Sequence, residues 1–413
     1  MSKYSVYNPK GLNLIFDPNK QLENAEKLKV SAGNQEVDIF SDNFKFAQTL
    51  KFNLGLDFKA LGIDWTAEAI YSKTLNDIYY KNLAIEATGK TFGQETGYTW
   101  DNRPMFTQTT KGTPYAYVYG LYNTNKGYTV NLSLKGEKHF DFGLDLMASY
   151  TWTRSMSVNS GTSSVAGSNW MFNTTYRNPN DPELGFSAYN VPHRVQASAY
   201  YRLGYGASKQ WQTTIGLIYQ GRSGSPYVIE MYGDMNGDGA RGNDLMFIPT
   251  DAQIDQMRFA PTTVNNSNNT YPLITKVLGA GYKGNLSEEQ QRALLKQWIA
   301  DDSYMSKHRG EYFKRYADNL AFEHHSDVHL AQKYSFKVGG QVNSLELSFD
   351  IINVGNLLNK DWGHTYGDGF GRYFSPFNYE GDGLFKFDGT HVNRDYDSYN
   401  SRWRGQIGLR STF

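Results

Sequence analysis

Apolar and polar residues alternate with a period of two along much of this chain, and that spacing restricts it to strands with one apolar and one polar face. Between residues 44 and 58, phenylalanine and leucine hold one face, while lysine, threonine, asparagine and aspartate hold most of the other. The same alternation returns at residues 63–72, 128–136, 143–154, 194–203, 210–222, 327–338, 344–354 and 403–413. The sequence therefore predicts an all-β fold with about nine or ten strands.

The connections between these strands are alternately short and long. Residues 140–143, 204–209 and 339–343 are tight turns, whereas the long segments are residues 73–112, 155–192, 223–322 and 355–400. Outer-membrane barrels have this layout, with turns on the periplasmic side and loops outside the cell. A soluble β-sandwich also alternates, but it rarely needs a connection of about 100 residues. We therefore predict an antiparallel transmembrane β-barrel in the bacterial outer membrane, with its apolar face against lipid.

Composition excludes several other classes of protein. Mean hydropathy is -0.60, and no apolar run approaches the roughly 18 residues of a membrane-spanning helix, so a helical membrane protein is excluded. A barrel remains compatible, because its strands alternate lipid-facing and lumen-facing residues. Lys and Arg together number 41, as do Asp and Glu, so no basic excess indicates a nucleic-acid partner. Cysteine is absent from the sequence, which removes disulfides, thiolate metal sites and cysteine nucleophiles.

The beginning of the chain lacks the pattern of a secretory leader. Residues 1–16 hold no run of apolar residues after Lys3, so they predict no signal peptide. A protein of the outer membrane is exported with such a peptide. We therefore expect residues 1–413 to be the C-terminal part of a longer barrel polypeptide, or one piece of a split barrel.

One helix is predicted within the longest connection, residues 223–322. Ser287 and Gln290 are spaced as a capping box, and the helix is expected over residues 287–300. Its narrow apolar stripe consists of Leu294, Leu295, Trp298 and Ile299. Such a stripe favours a helix that packs within an extracellular loop, and contact with a ligand is the alternative.

Asp234, Asn236 and Asp238 match the start of a calcium-binding loop, D-x-N-x-D-G. Side-chain oxygens at positions i, i+2 and i+4 converge because the glycine that follows lets the chain turn sharply. The twelfth position of such a loop carries a bidentate glutamate, and Leu245 stands there instead. The sequence thus gives a candidate Ca²⁺ site at residues 234–239 that is not a full EF-hand. The alternative is a turn in which these side chains accept hydrogen bonds from nearby backbone amides.

Aromatic residues crowd the last long connection, residues 355–400. We assign a candidate ligand mouth to Tyr366, Phe370, Tyr373 and Phe374. Aromatic faces stack on sugars and on apolar peptide side chains, so these residues suit a binding surface. The alternative is that the loop packs on itself through its own side chains.

The sequence holds no motif of a hydrolase elbow, a zinc protease or a phosphate-binding loop, so we expect no enzymatic activity and no required cofactor. His325, Asp327 and His329 do share one face of a predicted strand. That face is the polar one, which indicates a patch that lines the lumen. A metal or substrate contact is the alternative.

Several stretches carry a family resemblance, and they follow one another along most of the chain. They are residues 69–82, 122–134, 149–164, 189–202, 224–249 and 345–363. The most specific are GSPYVIEMYGDMNGDGARGNDLMFIP at 224–249 and LELSFDIINVGNLLNKDWG at 345–363. WRGQIGLRSTF at 403–413 looks like the terminal signal read by the barrel-assembly machinery, with Phe413 as its final aromatic residue. Together they resemble the TonB-dependent outer-membrane transporters, and within that family the Oar-like receptors of Bacteroidetes.

The resemblance implies a barrel of about 22 strands with a signal peptide, a TonB-contacting box and a plug domain. Only the C-terminal part of the barrel is matched by this chain. The implied partners are therefore outer-membrane lipid, the remaining strands and plug from the same gene or a partner chain, TonB through the missing N-terminal part, and a surface lipoprotein. The implied function is import of a large nutrient, such as an oligosaccharide, a peptide or a chelate. A surface adhesion or assembly scaffold without import is the alternative.

Overall fold

The structure is a computed structural model that describes residues 35–111, 113, 115–161, 163–367, 373–392 and 397–413. In chain order, these residues form the strands β1 Gln35–Phe40, β2 Gln48–Ala60, β3 Ile63–Asn82, β4 Ile85–Thr91, β5 Pro104–Gln108, β6 Tyr115–Thr124, β7 Tyr128–Phe140, β8 Leu144–Ser157, β9 Gly185–Phe186, β10 His193–Tyr205, β11 Trp211–Arg222, β12 Pro226–Tyr232, β13 Arg258–Phe259, β14 Thr262–Asn265, β15 Lys283–Leu286, β16 Asp318–Asn319, β17 Glu323–Val338, β18 Gln341–Ile352, β19 Tyr373–Gly381, β20 Leu384–Lys386 and β21 Arg404–Thr412. The helices are α1 Phe92–Thr96, α2 Ala166–Met171, α3 Asp251–Ile254, α4 Pro272–Leu278, α5 Glu288–Asp301 and α6 Val354–Leu358, with a 3-10 turn at Met305–Lys307. Within these ranges, no helix has the length and apolar character needed to span a membrane. The N-terminal residues that lack a signal-peptide pattern lie outside the described part of the chain.

One antiparallel meander, termed the wall, runs through the described residues. It consists of β2, β3, β7, β8, β10, β11, β17, β18 and β21, in that order. Each of these strands lies where the period-two pattern predicted one, so the all-β prediction is confirmed. The first strand begins at Gln48 rather than at residue 44. The reason is that Ser41 and Lys45 are held by Leu121 and Asn123 of β6, through amide hydrogen bonds of 3.0 and 2.6 Å.

The register of the wall places apolar residues opposite apolar residues from strand to strand. Leu132 of β7 lies between Ala69 and Trp152, and the strands that follow continue the same row. This apolar face is open, with Leu54 and Ile407 each 74% exposed. An exposed apolar face that extends over nine strands is far larger than soluble monomers carry.

The opposite face of the wall is polar, and its side chains bond across neighbouring strands. The bonds include Asn53–Glu68 at 3.0 Å, Thr153–Asn131 at 2.8 Å, Thr213–Gln332 at 2.7 Å and His329–Asp350 at 2.6 Å. A one-residue slip would turn every polar side chain onto the apolar face, so these pairs and the apolar rows fix the same register.

The wall remains open in the described residues. β2 pairs with β3 alone, and β21 pairs with β18 alone, so the outer edges of both strands carry backbone groups without a strand partner in that part of the chain. β2 extends over 13 residues, and the one irregularity in its pairing lies at its start, between Gln48 and Thr49, so most of this edge lacks the shortening or bulges that protect exposed edges of soluble sheets.

The long connections all leave one end of the wall and fold together into what we term the loop assembly. It comprises the described parts of residues 83–127, 158–192, 223–322 and 353–403. Its main hydrophobic core includes Phe92, Tyr227, Ile229, Met246, Leu294, Ile299, Phe313, Phe377 and Phe387. These residues come from the first, third and fourth connections, so the loops are one packed body rather than separate excursions.

The predicted loop boundaries need correction, because tertiary pairing orders residues that have no clear period of their own. β3 continues to Asn82 instead of ending near residue 72, and its extension pairs with β6, a strand that the pattern did not predict. The predicted helix is confirmed as α5, with Ser287 as its N-cap and Gln290 completing the capping box. Its apolar stripe lies in the core, which supports packing as the role of this helix.

Candidate functional site

The turn from Asp234 to Asp244 follows β12 and lies at the centre of the loop assembly. Asp238 and Asp244 are fully buried, and Met235, which follows Asp234, belongs to the main core. Gly237 has a φ of 76°, and a Cβ there would lie 2.5 Å from a backbone carbonyl oxygen of β5. The glycine of the motif is therefore required by backbone geometry and by the close approach of a neighbouring strand.

Asp234 organises the turn by accepting three backbone amides. Its Oδ1 accepts from Gly237 at 2.7 Å and from Asp238 at 3.1 Å, and its Oδ2 accepts from Gly239 at 2.9 Å. Burial raises the pKa of Asp234, and these amide donors oppose the rise. This pattern is the amide-accepting turn that the sequence left as the alternative to a cation site.

Asp238 accepts hydrogen bonds from both sides of the turn. The Ala240 amide donates to Oδ1 at 2.7 Å, and the side-chain amides of Asn236 and Asn243 donate to Oδ2 at 3.2 and 2.7 Å. Burial raises the pKa of Asp238, and the negative charge of Asp234 adds to the rise. The donors of the turn are thus neutral amides, which satisfy geometry but supply no full positive charge.

The three residues predicted as Ca²⁺ ligands are brought together in this one turn. In the part of the chain that the structure describes, no group of three or more His, Asp or Glu side chains is arranged around a metal position. Asn236 is not a member of such a group, because the atom with which it would bind a metal is an amide oxygen. Ca²⁺ at residues 234–239 therefore stays a prediction.

A buried ion-pair network joins the end of this turn to the first connection. Arg103 is 1% exposed and lies 3.0 Å from Asp101 and 2.9 Å from Asp244, with a further bond of 3.0 Å to the carbonyl oxygen of Leu245. Tyr312 from the end of the third connection donates to Asp101 at 2.7 Å. Burial by itself lowers the pKa of Arg103, but the two carboxylates raise it above its ordinary value. Burial raises the pKa of Asp244, and the Arg103 guanidinium opposes the rise.

This network explains the residues that follow the D-x-N-x-D-G motif. Asn243 bonds Asp238, Asp244 bonds Arg103 and the Met235 amide, and the apolar residues after them enter the core. Sequence reasoning missed Arg103, because its partner stands 141 positions away. The one available signal was the Asn-Asp pair just after the motif, which is polar in a segment that otherwise turns apolar.

Glu230 of β12 is a second buried acid, and it links the third connection to the fourth. Its Oε1 accepts from Ser375 at 2.8 Å, whereas its Oε2 has no hydrogen-bond partner in the structure. Burial raises the pKa of Glu230 to about 8, and the Ser375 hydroxyl opposes the rise. At neutral pH this side chain is therefore largely protonated in the folded protein.

The structure describes only some of the residues predicted to form a ligand mouth. Tyr366 is partly buried and packs against the main core, and its amide donates to Glu323 at 3.2 Å. The backbone of Tyr373 and Phe374 pairs with β12, but their side chains and the whole of Phe370 lie outside the described residues. Later aromatic residues of the same loop, Phe377, Phe385 and Phe387, are buried in the core, which is the self-packing alternative. The ligand mouth itself stays a prediction.

The histidines at the start of β17 are not part of the Arg103 network. His325, Asp327 and His329 each bond a different neighbour, so they do not converge on one point. The partners are Thr365 Oγ1 at 3.1 Å, the Asn353 amide at 2.7 Å and Asp350 Oδ1 at 2.6 Å. These contacts support the interpretation as a polar patch on the inner face of the wall.

The chain matches a known protein family. A family model described as an outer membrane beta barrel domain matches residues 8–359. The matched range includes every wall strand except β21, together with the first three connections. No curated protein matches the chain.

Proposed function

This chain belongs to the family of outer-membrane β-barrel domains, and we propose that it forms part of a TonB-dependent transporter that imports a large nutrient. The family places it in the bacterial outer membrane, with the apolar face of the wall against lipid. The proposal within that family rests first on the resembling stretches. The most specific of them coincide with β12 and its buried turn, and with β18 and α6.

The observation that carries the proposal is the shared core of the loop assembly. Connections that are far apart in the sequence are fixed to one another by the Arg103 network and by the contact of Glu230 with Ser375. Tyr98 of the first connection also donates to the carbonyl oxygen of Gly383 in the fourth, at 2.8 Å. Rigid loops bind a ligand without a large cost of ordering. Such a preformed mouth suits a receptor for a specific bulky nutrient better than an open pore for small solutes.

The open edges of the wall support the larger barrel. In lipid, an unpaired strand edge leaves N–H and C=O groups without partners, at several kcal/mol for each group. We therefore propose that further strands pair with β2 and β21 and that a plug fills the lumen, with TonB acting on the plug. The nutrient is proposed as an oligosaccharide, a peptide or a chelate. A surface lipoprotein over the mouth is a further proposed partner, and no enzymatic role is proposed.

The test uses a strain that lacks the gene and the same strain with the gene restored. Uptake of labelled oligosaccharides, peptides and iron chelates is measured with TonB present, with TonB depleted and after collapse of the proton gradient. A transporter predicts that one nutrient class is lost with the gene, and equally lost without TonB or the gradient. An adhesion scaffold predicts unchanged uptake of every class, together with a loss of surface attachment that does not depend on TonB.

A further inference from the structure

The turn at Asp234 contains a buried acceptor oxygen, on Asn243, that has no hydrogen-bond donor in the described part of the chain. Asn243 is 1% exposed, and its Nδ2 donates to Asp238 at 2.7 Å, so the side chain is directed into the turn. Among the described residues, its Oδ1 has no hydrogen-bond partner. A buried carbonyl oxygen without a donor costs about 1–3 kcal/mol, and almost all such groups in folded proteins are satisfied. A cation completes such an oxygen as a hydrogen-bond donor does, because oxygen lone pairs are its ligands.

The charges of the turn indicate the same kind of partner. Asp234 and Asp238 receive hydrogen bonds from neutral amides, while Arg103 is already bound to Asp101 and Asp244. Asp238 is fully buried, and a buried carboxylate without a paired cation is costly, because neutral donors replace only part of its hydration. Asp234 Oδ2 and Asp238 Oδ1 each accept one hydrogen bond, so each keeps a further lone pair.

We propose that this turn binds one Ca²⁺ ion through oxygens of Asp234, Asn236, Asp238 and Asn243. Carboxylate and amide oxygens are the ligands of a hard cation, and Ca²⁺ accepts an irregular shell of them. Both asparagines direct their amide nitrogen at Asp238 Oδ2, where the ion requires the oxygen instead. At Asn243, turning the terminal amide by half a rotation exchanges the two atoms at almost no change in shape. At Asn236, the same rotation also gives up the bond of 2.9 Å that Oδ1 accepts from the Asp238 amide. The shell therefore differs from an EF-hand, because Asn243 contributes in place of the missing twelfth-position glutamate.

The ion has a structural role, since the backbone of the same residues fastens the other loops. The carbonyl oxygen of Asn236 accepts the Phe106 amide of the first connection at 2.7 Å, and that of Asn243 accepts the Thr175 amide of the second at 2.8 Å. Ca²⁺ at this point closes the turn of the third connection, to which the first and second connections are attached. Removal of Ca²⁺ therefore loosens the loop assembly but leaves the wall in place.

Arg241 provides a direct test, because it is exposed and lies inside the turn. The protein, purified in detergent with its natural partners, is digested with trypsin in CaCl₂ or in a chelator, and cleavage after Arg241 is followed by mass spectrometry. Binding to the closed turn alone slows opening by a factor of about 1 + [Ca²⁺]/Kd, which is about 100-fold at 100 times Kd. Cleavage after Lys209, an exposed residue in a turn at the opposite end of the wall, serves as the internal control. Its rate is expected to be the same in both buffers.

Variants assign the effect to the proposed ligands. Asp238→Asn and Asn243→Ala are expected to abolish the Ca²⁺-dependent protection at Arg241. Asp301→Asn, the same chemical change at the exposed end of α5, is expected to keep it. Protection that persists in both ligand variants overturns the site, and so does equal cleavage of the wild-type protein with and without Ca²⁺.

A second measurement on the unmodified protein keeps the test independent of how the variants fold. Tb³⁺ replaces Ca²⁺ and emits when a nearby aromatic ring is excited. Tyr119 interacts electrostatically with Asp238, and the Tyr119 ring is 5.8 Å from that of Trp170. We expect sensitised emission that Ca²⁺ displaces and that Mg²⁺ at the same concentration does not. No emission, or equal displacement by Mg²⁺, overturns the assignment to Ca²⁺.

Discussion

The substitution Leu132→Arg tests which face of the wall meets lipid. Leu132 lies between Ala69 of β3 and Trp152 of β8, and its side chain is 46% exposed on the apolar face. Along β3, Ala69 stands between Trp65 and Tyr71. The rings of those two residues stack on neighbouring aromatic side chains at 6.4 and 6.5 Å, and we take these two aromatic rows as the edges of the apolar band. An arginine at this point places its guanidinium in the apolar band.

The cost follows from the depth of Leu132 in that band. Trp65 and Tyr71 are six positions apart along β3, which is roughly 20 Å at about 3.3 Å per residue. A strand tilt of about 40° reduces this to roughly 15 Å across the membrane, with Leu132 roughly 5 Å below the nearer row. Arginine costs about 2–4 kcal/mol at the midplane of a barrel and about 0–1 kcal/mol near its interfaces. We therefore expect a loss of about 2 kcal/mol, roughly 30-fold in the folding equilibrium.

The assay is urea-induced unfolding of the protein in lipid vesicles, followed by tryptophan fluorescence. Ser133→Arg is the matched control, since Ser133 is the next residue of β7 and faces Glu68 and Thr151 on the polar side. It gains a carboxylate neighbour, and we expect a change within about 0.5 kcal/mol. If Ser133→Arg costs as much as Leu132→Arg, the assignment of the two faces is refuted.

Three further predictions concern the loop assembly and the turns. Arg103→Met leaves two buried carboxylates without their cation and is expected to destabilise the loop assembly by about 3–5 kcal/mol, which is measured as faster proteolysis of the loops. Arg177→Met, at an exposed arginine, is the control, and equal proteolysis rates for both variants would contradict the prediction. Burial raises the pKa of Glu230 to about 8, while the unfolded chain releases that proton near pH 4.5. The contribution of Glu230 to the free energy of unfolding is complete below about pH 4.5 and is lost as the pH rises to about 8. Glu230→Gln is therefore expected to flatten the dependence of unfolding free energy on pH over this range in calcium-free buffer. An unchanged pH dependence would refute this prediction. Gly143 has a φ of 97°, and a main-chain carbonyl of the neighbouring strand occupies the position of a Cβ there. Gly143→Ala is therefore expected to lower the free energy of unfolding in urea by about 1–3 kcal/mol. Gly55→Ala is the control, because a Cβ at Gly55 meets open space, and an equal cost for both variants would contradict this reason.

Local patterns predicted the parts of the fold that depend on a residue and its near neighbours. The wall strands follow from period-two alternation, because successive side chains of a strand point to opposite faces whatever the strand pairs with. Helix α5 follows from Ser287 and Gln290, which satisfy each other across one turn. The sharp turn at Gly237 follows from the motif in the same way.

The sequence by itself determined the wall, its two faces and the capped helix, whereas only the tertiary structure decided how the loops are joined. β6 is ordered by pairing with the extension of β3, and Arg103 is paired with Asp244 across 141 positions. Neither has a periodic signal, because the partner that makes each favourable lies in another connection. The predicted mouth residue Tyr366 packs against the core for the same reason. Burial of charge and aromatic surface is a property of the assembled loops, and it becomes visible only when they share one interior.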